Sequence, residues 1–202
     1  MQFIKFCSIA AILLAQFACN SSEAQSNKSE NKSNSAPKVI ADKFSYPVGK
    51  TETLTEAKDK KDDWYNALDF GVNNHLGEDW NKNSGGNTDC GEAVFAVAGG
   101  TIVYAGNAGE GWGNVVIIEH NLPDGKKVQS LYGHFETITK SSGEVKKREQ
   151  IGTIGNAGGK YWCHLHLELR EEICPMWNKA GGGYDTNRQG WLDPSKFIDA
   201  HR

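Results

Sequence analysis

The sequence is poor in proline and has no strong excess of charge of either sign. Only 5 of its 202 residues are proline, against 23 glycines, and the formal net charge is −3. A chain that binds nucleic acid usually carries a basic stripe interleaved with aromatic residues. No such stripe is present, so we expect no nucleic-acid partner. No internal repeat is found either, and the length indicates one globular domain with appendages.

The N-terminal segment indicates export. The stretch "MQFIKFCSIAAILLAQFAC" places Lys5 before an apolar run over residues 6–15, which is the order of a signal peptide. This run is too short for a comfortable transmembrane helix. Ala18 and Cys19 resemble the end of a bacterial lipoprotein signal, in which Cys19 would become the lipidated first residue. We therefore predict a signal peptide over residues 1–19 and an envelope protein anchored in a membrane through Cys19.

Ordinary secretion is the alternative. Gln16 and Phe17 occupy positions where the lipoprotein pattern usually has a leucine and a small residue. Cleavage would then fall near residues 22–24.

The next two segments are predicted to lie between the signal peptide and the folded domain. Residues 20–38 contain no aromatic or β-branched residue and cannot bury a core, so they are predicted to be a disordered tether. Residues 39–63 form a lead-in segment of uncertain structure, with an edge strand, a groove plug and a spacer as the alternatives. The folded domain is predicted over residues 64–202.

Short strands separated by glycine-rich turns are the dominant pattern of this domain. Residues 137–160 are predicted to hold two short strands, and Asp193 and Pro194 in "DPSKFIDA" predict one short C-terminal helix. The other predicted strands are "WYNALDFGV", "AVFAV", "GTIVYAG", "NVVIIEH", "KKVQSLYGHF" and "HLHLELRE". The predicted fold class is all-β, with an antiparallel sheet.

Three cysteines follow the signal peptide, namely Cys90, Cys163 and Cys174. Exported chains can form disulfides. A strand that begins at Cys163 and reaches Glu171 would place its ends roughly 25 Å apart, at about 3.3 Å per residue. A bridge from Cys163 to Cys174 would then be too long unless the chain doubles back. We predict that any disulfide joins Cys90 to Cys163 or to Cys174, with Cys163 preferred.

Two histidines lie two residues apart in the alternating stretch "CHLHLEL". Successive strand side chains point to opposite faces, so His164, His166 and Glu168 share one face. The stretch "HLGED" places His75 and Asp79 four residues apart. Imidazole and carboxylate are both zinc ligands, and three protein ligands with one open position define a catalytic zinc site. The pair therefore needs a third ligand from a distant segment, which "HLH" can supply.

A further histidine, His134, lies in "SLYGHF". By alternation it shares a strand face with Tyr132 and Ser130. If this strand pairs across the sheet with the "HLH" strand, its polar face looks onto the pocket of His164 and His166.

Six motifs occur in a fixed order between about Leu68 and Arg170, which is roughly half the chain. They are "HLGED", "VFAVAGGTIVYAG", "GWGNVVIIEH", "LYGHF", "QIGTIGNAG" and "HLHLELR". Their order and spacing resemble those of the lysostaphin and LytM-type zinc metalloendopeptidases, which cut peptide bridges in bacterial cell walls. The six motifs in this order are a far more specific signature than any one of them alone.

The resemblance implies a site, a cofactor and a reaction. Carried over motif by motif, the zinc ligands are His75, Asp79 and His166, and the catalytic histidines that do not bind zinc are His134 and His164. The cofactor is Zn²⁺, held in a narrow groove of an all-β domain. The implied function is hydrolysis of peptide crosslinks or bridges of bacterial peptidoglycan, with a zinc-activated water as the nucleophile.

Several residues near these motifs have two interpretations. Trp112 and Tyr161, on glycine-rich loops, are candidate groove walls or packing residues. Glu168 either orients a ligand ring or forms a salt bridge at the rim. Trp162 and Cys163 occupy positions where the family usually has small residues or proline, which could reshape the groove.

Two other functions remain as alternatives. A non-catalytic or autoinhibited domain of this fold could bind cell wall or regulate another wall hydrolase. A metal-storing or structural zinc protein is disfavoured, because structural zinc is usually closed by four protein ligands. The oligomeric state is not predicted.

Overall fold

The computed structural model describes residues 38–54 and 62–202. Within these residues, ten strands form one antiparallel sheet and a single α-helix lies at the C-terminal end. The elements are β1 (Trp64–Leu68), β2 (Glu78–Lys82), β3 (Ala93–Phe95), β4 (Gly100–Asn107), β5 (Asn114–Asn121), β6 (Lys127–Ile138), β7 (Gly143–Val145), β8 (Gln150–Ile154), β9 (Leu165–Glu171), β10 (Trp191–Leu192) and α1 (Pro194–Ala200). The predicted all-β antiparallel fold with a short C-terminal helix is confirmed.

The predicted signal peptide over residues 1–19, and residues 20–37 of the predicted tether, lie outside the described residues. The division of the N-terminal region therefore stays a prediction. No helix in the described part of the chain is long and apolar enough to cross a membrane.

The central strand of the sheet is β6, which pairs with β5, β8 and β9. The main path of the sheet runs β1-β2-β9-β6-β5-β4-β7, with β10 beside β9 and β3 beside β8. Two pairings decide the geometry of the site. Asp79 of β2 and Gly133 of β6 are both register partners of His166 in β9.

The side chains of β9 divide between two faces as the alternation predicts. Its three leucines belong to the main hydrophobic core, whereas His166, Glu168 and Arg170 lie on the opposite face. All six are buried. Burial of each leucine contributes roughly 1.5–3 kcal/mol, so the core face fixes which residues of β9 lie on the opposite face.

The lead-in segment packs against the core where it is described. Ile40 forms a parallel bridge with Asn121, and Phe44, Tyr46 and Val48 are buried in the main core. None of the described residues of this segment lines the groove reported below. This part of the segment therefore contributes to the packed core rather than to the groove.

A buried polar network crosses the core beside β5 and β6. His120 Nδ1 lies 2.9 Å from the carbonyl oxygen of Gly99, and His120 Nε2 lies 2.7 Å from Ser130 Oγ. Ser130 Oγ in turn lies 2.9 Å from Tyr132 Oη, which accepts a hydrogen bond from the backbone N–H of Val97. Because a carbonyl can only accept, His120 donates through Nδ1. Burial lowers the pKa of His120 from 6.5 to about 4.

We predict that His120 stays neutral down to about pH 4. In the unfolded chain the ring protonates near pH 6.5, so protonation favours the unfolded state and the free energy of unfolding falls as the pH drops from about 6.5 to about 4. Long-range ¹⁵N–¹H NMR of the His120 ring should show the Nδ1–H tautomer at pH 5. An imidazolium spectrum at that pH would contradict the prediction.

Candidate active site

Three side chains converge on one point at the bottom of a groove. His75 Nε2 lies 3.0 Å from His166 Nδ1 and 3.3 Å from Asp79 Oδ1, and His166 Nδ1 lies 3.0 Å from Asp79 Oδ1. Ligand atoms about 2.0–2.1 Å from a tetrahedral zinc ion are about 3.3 Å apart. The triangle therefore has the size that a small tetrahedral cation needs. Among the described residues, this is the one cluster of histidine, cysteine and carboxylate groups that could hold a metal ion.

His75 and Asp79 are positioned by two different structural elements. Strand β1 ends at Leu68, before the predicted end of this strand at Val72, and a 3-10 turn over Val72–Asn74 leads into His75. The backbone N–H of Leu76 then donates to the carbonyl of Gly183 at 2.9 Å. Asp79 follows in β2, a strand that the sequence pattern did not predict, and there it pairs with β9.

Gly77 lets this part of the chain approach β9 closely between the two ligands. A Cβ atom at Gly77 would lie 2.4 Å from the carbonyl oxygen of Leu167 and 3.0 Å from Cε1 of His166. The first of these atoms is backbone and cannot move without β9. A larger residue at this position would therefore displace the strand that carries the third ligand.

Two carboxylates flank the ring of His166. Its Nδ1 lies 3.0 Å from Asp79 Oδ1 and its Nε2 lies 3.0 Å from Glu168 Oε1. Burial alone would lower the pKa of His166, but the bonds to Asp79 and Glu168 outweigh it and raise the pKa to about 9. Burial likewise opposes ionisation of Asp79, but hydrogen bonds with His166 and His75 hold its pKa well below the usual range. A metal ion at this cluster would have to displace the proton of His166.

The side chain of Glu168 is fully buried and has three partners. It lies against His166 Nε2, accepts from Arg170 Nε at 2.7 Å and accepts from Trp191 Nε1 at 2.7 Å. Burial would raise the pKa of Glu168, but Arg170 and His166 hold it below its usual value. Both predicted contacts of Glu168 therefore occur together, and the ion pair is buried rather than at the rim.

Two further histidines line the same groove. The ring centroids of His134 and His164 are 4.6 Å apart. His134 Nδ1 lies 3.1 Å from the carbonyl oxygen of Trp112, and His164 Nδ1 lies 2.8 Å from that of Trp162. Since a carbonyl can only accept, we assign a proton to Nδ1 of each ring, which leaves Nε2 as the nitrogen that can accept a proton.

The route by which His134 reaches the groove differs from the predicted one. Alternation would place it with Tyr132 and Ser130, but those two side chains face the core network around His120. His134 has a left-handed backbone with φ of 67°, and its N–H donates to Trp112. This conformation interrupts the alternation of β6. The predicted position at the pocket is correct, and the parity argument for it is wrong.

The electrostatic surroundings of His134 favour a neutral ring. Burial, reinforced by the neighbouring His164 and His166, lowers the pKa of His134 to about 3. At neutral pH this ring can therefore accept a proton rather than supply one at the outset.

The groove has a volume of about 340 Å³ and aromatic walls. Trp112 and Tyr161 both line it, as predicted for groove walls. Trp112 also meets the ring of His166 edge-on, with centroids 5.1 Å apart. Tyr184 is a third aromatic lining residue, with its ring centroid 5.0 Å from that of His75. Its sequence context, a glycine-rich loop without a motif, had not indicated a place in the site.

Comparison with known proteins agrees with this geometry. The family model for Peptidase family M23 matches residues 73–179. The chain belongs to peptidase family M23. The matched interval contains all five residues predicted for the site.

Two curated relatives of this M23 chain are bacterial NlpD proteins. It is 41% identical over 81 residues to "Murein hydrolase activator NlpD" of Escherichia coli K12, a match that covers 40% of this chain and 20% of that protein. It is also 41% identical over 81 residues to "Lipoprotein NlpD" of Yersinia enterocolitica, covering 40% of this chain and 78% of that one. The chain thus spans about one fifth of the length of the Escherichia coli relative.

A solved structure similar to this M23 chain is the catalytic domain of the antimicrobial peptidase lysostaphin from Staphylococcus simulans. The sequence identity is 25% and the TM-score is 0.45. The match covers 62% of this chain and 79% of that domain.

A disulfide braces the M23 site beside one of its histidines. Cys90 and Cys163 are bonded, with Cα atoms 5.2 Å apart, and Cys174 is free and buried. The preferred pairing is thereby confirmed. The backbone N–H of Cys163 also donates to Asn87 Oδ1 at 2.9 Å. The long connection after β2 therefore fixes the residue directly before His164, and a bonded sulfur is not available as a metal ligand.

We predict that replacing both Cys90 and Cys163 with serine lowers the free energy of unfolding by about 4 kcal/mol. The bond links residues 73 positions apart, and it restricts the unfolded chain accordingly. Denaturant unfolding of the metal-free protein measures the change. The control is Cys174→Ala, which leaves the disulfide intact. If this variant lost as much stability as the double serine variant, the loss could not be assigned to the disulfide.

Proposed function

We propose that this M23 protein is a zinc-dependent endopeptidase that hydrolyses peptide crosslinks or bridges of bacterial peptidoglycan. One observation carries the proposal. A three-ligand cluster and two further histidines, each with Nδ1 against a backbone carbonyl, meet in a single groove. Membership of a peptidase family supports the same function, and similarity to a relative named for murein supports a cell-wall substrate.

Zinc is the metal that best suits the donor set. His75 and His166 offer imidazole nitrogen and Asp79 offers carboxylate oxygen, a combination typical of catalytic zinc, whereas calcium and magnesium prefer ligand sets made of oxygen. These three residues would hold the ion. When bound, zinc would act as a Lewis acid on the scissile carbonyl and lower the pKa of a water molecule.

Proton transfer would fall to the two histidines that are not ligands. Nε2 of His164 or of His134 would accept the proton of the attacking water, and the protonated ring would then return a proton to the leaving amine. Once Nε2 has taken the proton of the water, its N–H would be available to stabilise the developing oxyanion. The carbonyls of Trp162 and Trp112 would hold both rings in the tautomer that this requires.

We also propose that the protein acts in the cell envelope. Support comes from the predicted signal peptide, from the candidate lipidation residue Cys19 and from a relative named as a lipoprotein. Its partners would be peptidoglycan peptides and, through the lipid, a membrane. Secretion without an anchor is the alternative.

A non-catalytic activator of another wall hydrolase is the second candidate function. The name of the Escherichia coli relative favours it. An activator needs a surface for its partner but no metal ligands and no aligned proton acceptors. Because His75, Asp79, His134, His164 and His166 all meet at one groove here, the endopeptidase is the better supported function.

We predict that the zinc-loaded protein removes crosslinked muropeptides from purified peptidoglycan. Mass spectrometry of the released fragments would identify the bond that is cut, and a sample treated with a chelator is the control. Intact crosslinks in the presence of one bound zinc per chain would place the activator ahead of the endopeptidase.

We predict that His166→Ala and His134→Ala fail in different ways. His166→Ala removes a ligand and should abolish zinc binding, whereas His134→Ala should keep zinc and lose hydrolysis. Metal content by mass spectrometry and turnover on peptidoglycan would be measured on the same samples. Wild-type turnover by His134→Ala would refute its catalytic role.

A further inference from the structure

We infer that Arg170 is a positioning residue for the metal centre, which holds His166 through Glu168 and holds His75 through the loop of residues 176–185. The inference rests on the proposed function, because it concerns how the proposed zinc ligands are kept in place. Arg170 is fully buried and touches neither the groove nor any ligand atom.

The first connection runs from Arg170 to His166. Nε and Nη2 of Arg170 both contact Glu168 Oε2, at 2.7 and 2.5 Å, and the other carboxylate oxygen lies 3.0 Å from His166 Nε2. An anionic acceptor at Nε2 keeps the ring proton on that nitrogen and leaves Nδ1 for the metal. The guanidinium thus fixes the orientation of the carboxylate that orients the ligand.

The second connection runs from Arg170 to the backbone of the loop. Nη1 donates to the carbonyl oxygens of Met176 and Lys179 at 2.9 and 2.5 Å, and Nη2 donates to that of Gly181 at 3.4 Å. A guanidinium offers five N–H donors in a fixed planar fork. One side chain can therefore bind the carboxylate and three loop carbonyls together.

The same loop continues to the backbone around His75. The N–H of Leu76 donates to the carbonyl of Gly183, and the N–H of Asp185 donates to that of Asn74, each at 2.9 Å. His75 itself forms an antiparallel bridge with Tyr184. The residues on both sides of this ligand are thus held by a loop that Arg170 binds a few residues earlier.

The His75 ring lacks the support that Glu168 gives to His166. Its Nδ1 is buried and has no hydrogen-bond partner within residues 38–54 and 62–202. The position of Nε2 therefore depends on the backbone of His75 and hence on the loop. Loosening this loop should affect metal binding even though no loop residue is a ligand.

Arg170→Lys is the decisive variant, because it keeps the positive charge but loses the planar set of five N–H donors. We expect zinc affinity, measured by competition with a chromophoric chelator, to fall about 10- to 100-fold, the range typical of lost outer contacts to metal ligands. Hydrogen exchange of the amides of residues 176–185 should increase. Glu168→Gln should weaken zinc binding without increasing that exchange, and the double variant should lose less than the product of the two effects.

Arg148→Lys is the matched control. Arg148 also donates to three backbone carbonyls, those of Tyr46, Val48 and Gly49, but it binds the lead-in segment and does not line the groove. Zinc affinity in this variant should be unchanged. An equal loss in both arginine variants would overturn the inference by showing a general effect of stability.

Two further results keep the inference separate from the proposed function. If Arg170→Lys fails to fold, Trp191→Phe removes another donor to Glu168 and should weaken zinc binding. Unchanged affinity in Trp191→Phe would then overturn the inference. Wild-type affinity and exchange in a folded Arg170→Lys protein would overturn it as well. A wild-type protein that binds no zinc would instead overturn the proposed function.

Discussion

The register of three adjacent strands is the constraint on which the site depends. His166 of β9 has Asp79 of β2 as its partner on one side and Gly133 of β6 on the other. Paired residues point to the same face of a sheet, so the carboxylate of Asp79 and the ring of His166 lie next to each other. A Cβ atom at Gly133 would lie 3.3 Å from both the Cβ of His166 and the ring of Trp112. The sheet therefore sets the spacing of ligand, groove wall and neighbouring strand together.

The same face of β9, together with the half-buried Asp79 of β2, carries an unusual density of charge, and each charge has a partner. When the ring of His166 is protonated, the charges alternate in sign along a chain of contacts. The chain runs from Asp79 to His166, then to Glu168 and then to Arg170. Such groups are tolerated in the interior only when they are paired and hydrogen-bonded. In the metal-free protein the proton on His166 partly offsets the two carboxylates, so a cation that replaces it enters a site already arranged for positive charge.

The structure could be predicted from the sequence where the strands alternate regularly. It could not be predicted where a local backbone conformation or a distant contact determines the position of a side chain. Alternation identified the two faces of β9, and the reach of a strand favoured the correct disulfide. The left-handed backbone at His134 leaves no mark in a hydrophobic pattern, so the prediction that His134 shares a face with Tyr132 and Ser130 is wrong. Strand β2 was missed because a buried Glu78, bound by Trp80 and Ser195, looks like a surface residue in the sequence. The assignment of metal ligands came from the family resemblance, and Arg170 binds carbonyls that no motif reports.

Gly77 adds a steric requirement to the spacing between His75 and Asp79. Because its backbone lies against β9 with no room for a side chain, the three residues between His75 and Asp79 are a steric requirement as well as a spacer. A histidine and an aspartate four residues apart occur by chance in many loops. A search pattern that also demands glycine at the middle of the three intervening positions would retain those segments whose backbone can lie against a neighbouring strand, and would discard most of the accidental matches.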